Sequence, residues 1–437
     1  MRVAVILTAR PSWAKLEPVC RALKARPDVE LHIIACASAL LERYGRVVDV
    51  VKAQGYQVAA ECWTTYEGAN LLTSAKETGA LLSELGTTLS RVRPDLSVVC
   101  ADRHEVLAAA QAAAYQHLPV LHIQGGERSG SIDDRTRAAI TQLSDLHCVA
   151  TTRAKYRVYG LTGSERVYVT GCPSIDLARE AVDDQPVTAE ELGGTGPRLD
   201  LRQPFVMLLQ HPVTNKAAEA ETQMRASLEA LAMVSLPRIV FWPGEDAGAD
   251  AMGRALRAWR HQRPEATVVT VKNLPPRRFL RLLTQCACLV GNSSAGIREG
   301  SYLGVPVVNI GSRQEGRERG PNVRDVGFNG SDIPRAVDEQ ITHGRYPSSR
   351  LYGTGDAGEK IAAVAGSKTT VCWKRAHNPV TTCVCASGSR RPARPALTGG
   401  AHGWRGRCRV TRAASPAAHR AVVEVHVAES VAAKVVG

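Results

Sequence analysis

Aromatic residues make up only 5% of this 437-residue chain, and no apolar run approaches the roughly 18 residues that a membrane-spanning helix requires. The first scarcity points to a core of Ala, Val, Leu and Gly, suited to close packing of helices on a sheet. The second excludes a transmembrane span, and no membrane partner is expected. The N-terminal apolar stretch, Val3–Leu7, runs for five residues before Thr8, Arg10 and Lys15 break it. It is shorter than the roughly 7–15 residues of a signal-peptide core, so a first buried strand is the better reading. The twelve cysteines show no CxxC spacing, and several, such as Cys100, Cys286 and Cys288, sit inside apolar runs. They read as buried thiols of a cytoplasmic protein rather than as disulfides. Nor does a GxGxxG follow the first strand, which excludes classical dinucleotide binding.

What is present is ordinary for a globular protein: 44% hydrophobic and 22% charged residues. The net charge of +13 resembles a nucleic-acid signature until it is located. Residues 366–437 hold twelve Lys and Arg against two Glu, which is +10 of the total. The body is close to balanced and needs no nucleic-acid partner to explain it. The segment 366–437 lacks sustained periodicity and reads as a poorly ordered basic tail, or as GC-rich sequence translated out of frame. Cys383-Val384-Cys385 within it has the wrong spacing for structural zinc.

Before the tail, short β-rich runs alternate with helix-length periodic segments. Arg2–Leu7, Glu30–Ala35, Leu96–Ala101, Val120–Ile123, Leu146–Ala150 and Arg166–Val169 are predicted strands. A second series comprises Phe205–Leu209, Arg238–Phe241, Ala266–Val271, Ala287–Val290 and Val307–Ile310. The stretch between them, Asp183–Gln203, reads as a linker. The pattern predicts an α/β fold with two Rossmann-like domains, 1–182 and 183–365, and a ligand cleft at the facing carboxyl ends of the strands.

Six strand-end segments carry polar groups. Thr8-Ala9-Arg10-Pro11 offers a guanidinium for a diphosphate. Asp102-Arg103-His104-Glu105 suits either a site or a helix cap, with Asp102 as N-cap. His122-Ile123-Gln124-Gly125-Gly126-Glu127-Arg128-Ser129-Gly130-Ser131-Ile132-Asp133-Asp134 is the most informative: glycines let backbone approach a ligand beside several proton-handling groups. Gln210-His211-Pro212 places an imidazole at a strand end. In Gly291-Asn292-Ser293-Ser294, hydroxyls and a helix N-terminus form a phosphate cradle, or Ser293 is merely a cap; Glu299 is placed to accept ribose hydroxyls. Gly311-Ser312-Arg313-Gln314-Glu315-Gly316-Arg317 supplies cations to the same cleft.

Taken in order, Ala101-Asp102-Arg103, the Gln124–Asp134 loop, Arg137-Ala138-Ala139-Ile140-Thr141, Gly171-Cys172-Pro173-Ser174, Gln210-His211-Pro212-Val213-Thr214, Asn292-Ser293-Ser294 and Arg313-Gln314-Glu315-Gly316-Arg317 resemble the hydrolysing UDP-N-acetylglucosamine 2-epimerases of the sialic-acid pathway type. The resemblance covers Met1 to about Ala365 and implies a GT-B-like arrangement of the two domains. It implies a UDP-sugar substrate, loss of UDP with removal of the C2 proton, and hydration of a glycal to the free 2-epimeric sugar. Asp102, Gln124, Glu127, Asp133, Asp134 and His211 are the implied catalytic set. Arg10, Ser293, Ser294, Glu299 and Arg317 would hold UDP. Neither cofactor nor metal is implied, and a homodimer or homotetramer is expected. Two positions depart from the pattern. Gln124 stands where some members have Glu and cannot transfer a proton, which shifts the acid–base burden to Glu127, Asp102 or the Asp133–Asp134 pair. Ala138-Ala139 stands where His-Ala is usual. A non-hydrolysing epimerase, a glycosyltransferase of the same fold and a catalytically silent sugar-nucleotide-binding protein are the competing readings.

Overall fold

The computed structural model describes residues 1–367, Ala69 and Glu245 excepted; apart from Gly366 and Ser367, the basic tail lies outside the described residues. Two parallel sheets organise the chain. The first contains β1 (Arg2–Leu7), β2 (Glu30–Cys36), β3 (Val58–Cys62), β4 (Leu96–Cys100), β5 (Val120–Ile123), β6 (Leu146–Val149) and β7 (Val167–Val169), in the order β3-β2-β1-β4-β5-β6-β7. The second contains β8 (Val206–Leu209), β9 (Arg238–Phe241), β10 (Val268–Val271), β11 (Cys288–Gly291), β12 (Val307–Ile310) and β13 (Val323–Val326), in the order β10-β9-β8-β11-β12-β13. In each sheet the order reverses beside the first strand, between β1 and β4 and between β8 and β11. Those switch points open the crevices that α/β sheets use for ligands.

The central strands are mostly apolar because helices cover both faces, with Ser97, His122, His147 and Asn309 among the buried polar exceptions. In β1, Val3, Val5 and Leu7 pack toward Trp13, Leu16 and Val19 of the Arg10–Lys24 helix. Ala4 and Ile6 face the opposite way, toward Leu81, Leu85 and Val106 of the Leu71–Val92 and His104–Ala114 helices. The second sheet repeats the plan, with Met207 on one face and Val206 and Leu208 on the other. Strands β3 and β13 escape the sequence reading because both are edges. Their segments, Val-Ala-Ala-Glu-Cys and Val-Arg-Asp-Val, are only partly buried and lack an apolar run.

The predicted linker is built differently from a linker. Leu192, Leu199 and Leu201 are buried in the core of the second half, and Thr195 bridges Thr270 of β10. Thr188 and Glu191 form a reciprocal cap around the Ala189–Leu192 turn. The chain then crosses back after the second sheet. The Ala357–Ala365 helix packs against Arg10–Lys24, placing Ile361, Ala362 and Ala365 in the core of the first half. The range 183–365 thus describes chain order, while its last helix packs with the first half. Among the described residues, no helix is long and apolar enough to cross a membrane.

One carboxylate fastens that returning helix. Asp176 accepts the N–H groups of Ala357 at 3.0 Å and Gly358 at 2.7 Å, two donors that the first turn leaves without helical partners. Burial pushes its carboxyl up to about 6, against the pull of those N–H groups. Replacing Asp176 with Ala should lower unfolding free energy by about 1–3 kcal/mol, because two buried donors lose their acceptor. Urea denaturation measures this. An unchanged midpoint would show that apolar packing alone anchors the helix.

Candidate active site

The carboxyl ends of β4, β5, β8, β11 and β12 deliver the polar segments to one cleft between the halves. Two strand exits in the first half carry unusual backbone: Ala101 and Gln124 have φ of 75° and 68° without being glycine. Such left-handed residues persist only where surrounding bonds determine them. Here Ala101 N–H donates to Ile123 O at 3.0 Å, Gln124 N–H donates to Cys148 O at 2.9 Å, and His122 Nε2 lies 2.8 Å from Ala101 O.

At the centre lies Glu127. Its Oε2 accepts Arg298 Nη2 at 2.6 Å and Arg317 Nε at 2.9 Å, so a first-half carboxylate is clasped by two second-half guanidiniums. Its backbone oxygen accepts Arg137 Nη1 at 2.6 Å. Arg137 also pairs with Asp102 and, at 2.6 Å, with Asp134, while Arg317 Nη2 lies 3.9 Å from Asp102. Burial by itself would raise the Asp102 and Glu127 carboxyls, yet the surrounding arginines outweigh it and hold both well below the usual carboxylate range. Lys15, half-buried at the start of the cleft, adds to the field on Asp102. Asp133 goes the other way: burial and then the Asp102 charge raise it, opposed by its bond from Ser131 Oγ at 2.7 Å. Two neighbouring carboxyls are thereby driven apart in acidity, a pattern typical of acid–base sites.

The remaining predicted residues divide. Asp134 spends its oxygens on Ser129 N–H at 2.7 Å, Gly130 N–H at 2.8 Å and Arg137, so it shapes the loop. Gln124 is buried at the floor with Nε2 2.7 Å from Cys172 Sγ, and its Oε1 has no protein partner. His211 is locked by its own backbone: its N–H donates to Asn292 Oδ1 at 2.7 Å and its carbonyl accepts Asn292 Nδ2 at 2.8 Å. Burial, reinforced by Arg313, lowers its imidazole to about 4, so the ring is neutral near pH 7. Ser293 accepts Ala295 N–H at 3.2 Å as a cap, and Ser294 Oγ accepts Arg298 Nη1 at 3.3 Å. The helix expected after them is broken at Arg298 into two single turns, Ser294–Ile297 and Glu299–Tyr302. Glu299 is buried with Oε2 unpaired. Arg10 stands apart from the Glu127 cluster, donating to Gly45 O at 3.1 Å. Asp102 does not cap the next helix; Arg103 occupies that position.

Sequence reasoning assigned no role to Arg137, Arg298, Lys15 or Asp246. Arg137 had a usable signal, since Asp134 precedes it by three positions on one helix. Asp246 lies in no quoted motif. For metal binding, Glu77, His104 and Glu105 are the one suitable group among the described residues. The His104 nitrogens address different carboxylates, Nε2 at 3.7 Å from Glu77 and Nδ1 at 3.5 Å from Glu105, and Arg103 already occupies Glu105. These approaches are of ion-pair length, and His104 Nε2 makes no hydrogen bond.

Two doubly wound halves enclosing a charged cleft at their switch points define a GT-B-like α/β protein. The profile of the UDP-N-acetylglucosamine 2-epimerase family matches residues 21–365, and the chain belongs to that family. It is 28% identical over 378 residues to the UDP-N-acetylglucosamine 2-epimerase of Neisseria meningitidis serogroup B, covering 84% of this chain and 96% of the relative. It is also 28% identical over 361 residues to the hydrolyzing UDP-N,N'-diacetylbacillosamine 2-epimerase of Legionella pneumophila, covering 82% of this chain and 94% of the relative. The crystal structure of the Neisseria meningitidis UDP-GlcNAc 2-epimerase bound to UDP-GlcNAc superposes with a TM-score of 0.68 at 18% identity, over 83% of this chain and 98% of that one.

The opposed carboxyls yield a direct test. Substituting Asp102→Asn removes the anion that raises Asp133 and frees Arg137 and Arg317, so the Asp133 carboxyl should titrate at lower pH. Carbon-13 NMR of labelled aspartate follows that titration. An upward or absent shift would show that the two carboxyls do not sense each other.

Proposed function

We propose that the protein is a hydrolysing 2-epimerase, converting UDP-N-acetylglucosamine or a close UDP-amino sugar to UDP and a free N-acetylmannosamine-type sugar. The observation that carries this reading is the pair of acid–base-separated carboxyls, Asp102 and Asp133, set beside the buried arginines Arg137, Arg298 and Arg317. Family membership supports the substrate class, and a relative named as hydrolyzing supports the hydrolysing reading.

In the proposed reaction a carboxylate takes the C2 proton while the C1–oxygen bond breaks, its electron pair leaving with UDP. The resulting glycal gains water, hydroxyl at C1 and a proton at C2 on the opposite face. Asp133, whose carboxyl is raised by burial and by the Asp102 charge, is the more basic of the two and the one suited to accept the C2 proton. Asp102, held ionised, orients Arg137 and Arg317. Arg317, Ser293 and Ser294 meet the departing diphosphate, where a fixed cation is worth most as negative charge develops. Glu299, with its unpaired oxygen, and Arg10 serve the nucleoside and diphosphate in this reading. Gln124, its amide nitrogen on the Cys172 sulfur, shapes the floor rather than moving a proton.

Turnover of UDP-N-acetylglucosamine in heavy water, followed by NMR, should yield UDP and free 2-epimeric sugar with deuterium at C2. Product still joined to UDP would overturn the hydrolysing assignment. Asp133→Asn and His211→Ala should each lose about 10²–10⁴-fold in kcat while remaining folded. Near-parental turnover of both would move the reaction elsewhere.

A further inference from the structure

Arg103 of the first half and Asp246 of the second meet across the cleft, Nη1 to Oδ1 at 2.7 Å. Each is anchored within its own half. Arg103 grips Glu105 through Nε at 3.1 Å and Nη2 at 2.9 Å, and that carboxylate is fully buried at the start of the His104–Ala114 helix. Asp246 uses its other oxygen for Arg313 Nη2 at 3.4 Å, and Arg313 Nη1 reaches Asn292 O at 3.3 Å. Asn292 is the residue that clamps the His211 backbone on both sides. A continuous chain of bonds therefore runs from Glu105 through Arg103, Asp246, Arg313 and Asn292 to His211, and its single interdomain step is Arg103–Asp246.

That step is placed to control alignment. The second half contributes His211, Arg313 and Arg317; the first contributes Asp102 and Asp133. Halves joined by two chain crossings can change their angle, and a 1 Å misplacement of reacting groups is enough to cost much of the rate. Two backbone contacts nearby tolerate no added side chain: a Cβ on Gly316 would lie 2.7 Å from Arg128 Cβ, and one on Gly130 would lie 3.0 Å from Ser312 O. Close backbone approach sets the spacing there, and the directional bonds between the halves come from side chains, among them Glu127 with Arg298 and Arg317, Arg43 with Asp250, and Arg103 with Asp246, the last being the one bonded onward to the residue that clamps His211.

We propose that Arg103 and Asp246 are positioning residues, an ion-pair latch that holds the two halves in register so that His211 and Arg313 face Asp102 and Asp133. The proposal rests on the cleft being the reaction site. It assigns neither residue a contact with the reacting atoms.

A double-mutant cycle with Arg103→Gln and Asp246→Asn tests it in the full chain. Each single variant should lower kcat about tenfold, and the double should be no worse than the poorer single, since removing one partner already opens the latch. UDP affinity by calorimetry and the KM should stay within about twofold, because alignment and not ground-state binding is lost. Arg103→Lys, which keeps a charge, should recover part of the kcat. Fluorescence labels placed at exposed Glu84 and Glu339, one in each half, should report a broader interdomain distance distribution in both single variants with UDP bound. This distance readout holds whether or not the free sugar is the product, so a failed hydrolysing assignment would leave it intact. Multiplicative kcat losses in the double variant, a loss confined to UDP affinity, or an unchanged distance distribution would overturn the latch.

Discussion

The Glu127 carboxylate, clasped by Arg298 and Arg317, is the interaction on which the cleft depends. Its loop leaves β5 of the first half, while its partners follow β11 and β12 of the second. All three side chains are almost wholly buried. Buried ion pairs contribute little net stability when complete, but a broken one leaves an unpaired charge in a low-dielectric interior at a cost of about 3–5 kcal/mol. The geometry of Arg317 is therefore tightly held, and with it the field felt by Asp102. Arg137 extends the same logic within the first half, joining Asp102 and Asp134 to the Glu127 backbone.

Much of the fold was legible because parallel strands covered on both faces are apolar at most positions. Segments such as Val3–Leu7 and Val206–Leu209 announce themselves by composition alone. Legibility failed where burial is one-sided. The edge strands β3 and β13 carry Glu61, Arg324 and Asp325 in segments too polar to signal a strand. The 183–203 stretch was misjudged for a related reason: Leu192, Leu199 and Leu201 are too widely spaced among Gly, Pro and Asp to show a period, yet tertiary contacts bury them. The return of Ala357–Ala365 to the first half is a long-range event that no local pattern encodes.

At the site, the strand-end motifs were legible because α/β sheets place ligands at carboxyl ends, where glycine and polar residues would otherwise be unexplained. What sequence could not supply was partnership. Arg298 and Glu127 are 171 positions apart, and Arg103 and Asp246 are 143 apart. Roles within the Asp133–Asp134 pair were equally hidden, since adjacent carboxylates look interchangeable until one is seen bonded to Ser129 and Gly130 and the other raised by burial and by Asp102.

These arguments converge on one claim: the arginines around Glu127 are held by an internal anion in a cleft that we propose receives the diphosphate of the nucleotide sugar. Substituting Glu127→Gln removes that anion and leaves Arg298 and Arg317 uncompensated. Thermal unfolding of this variant and of the parent protein, with and without saturating UDP, tests the claim most directly. The account predicts a variant that melts lower alone and gains more from UDP than the parent does, as the nucleotide replaces the missing charge. An equal or smaller gain would contradict it and place the diphosphate away from these arginines.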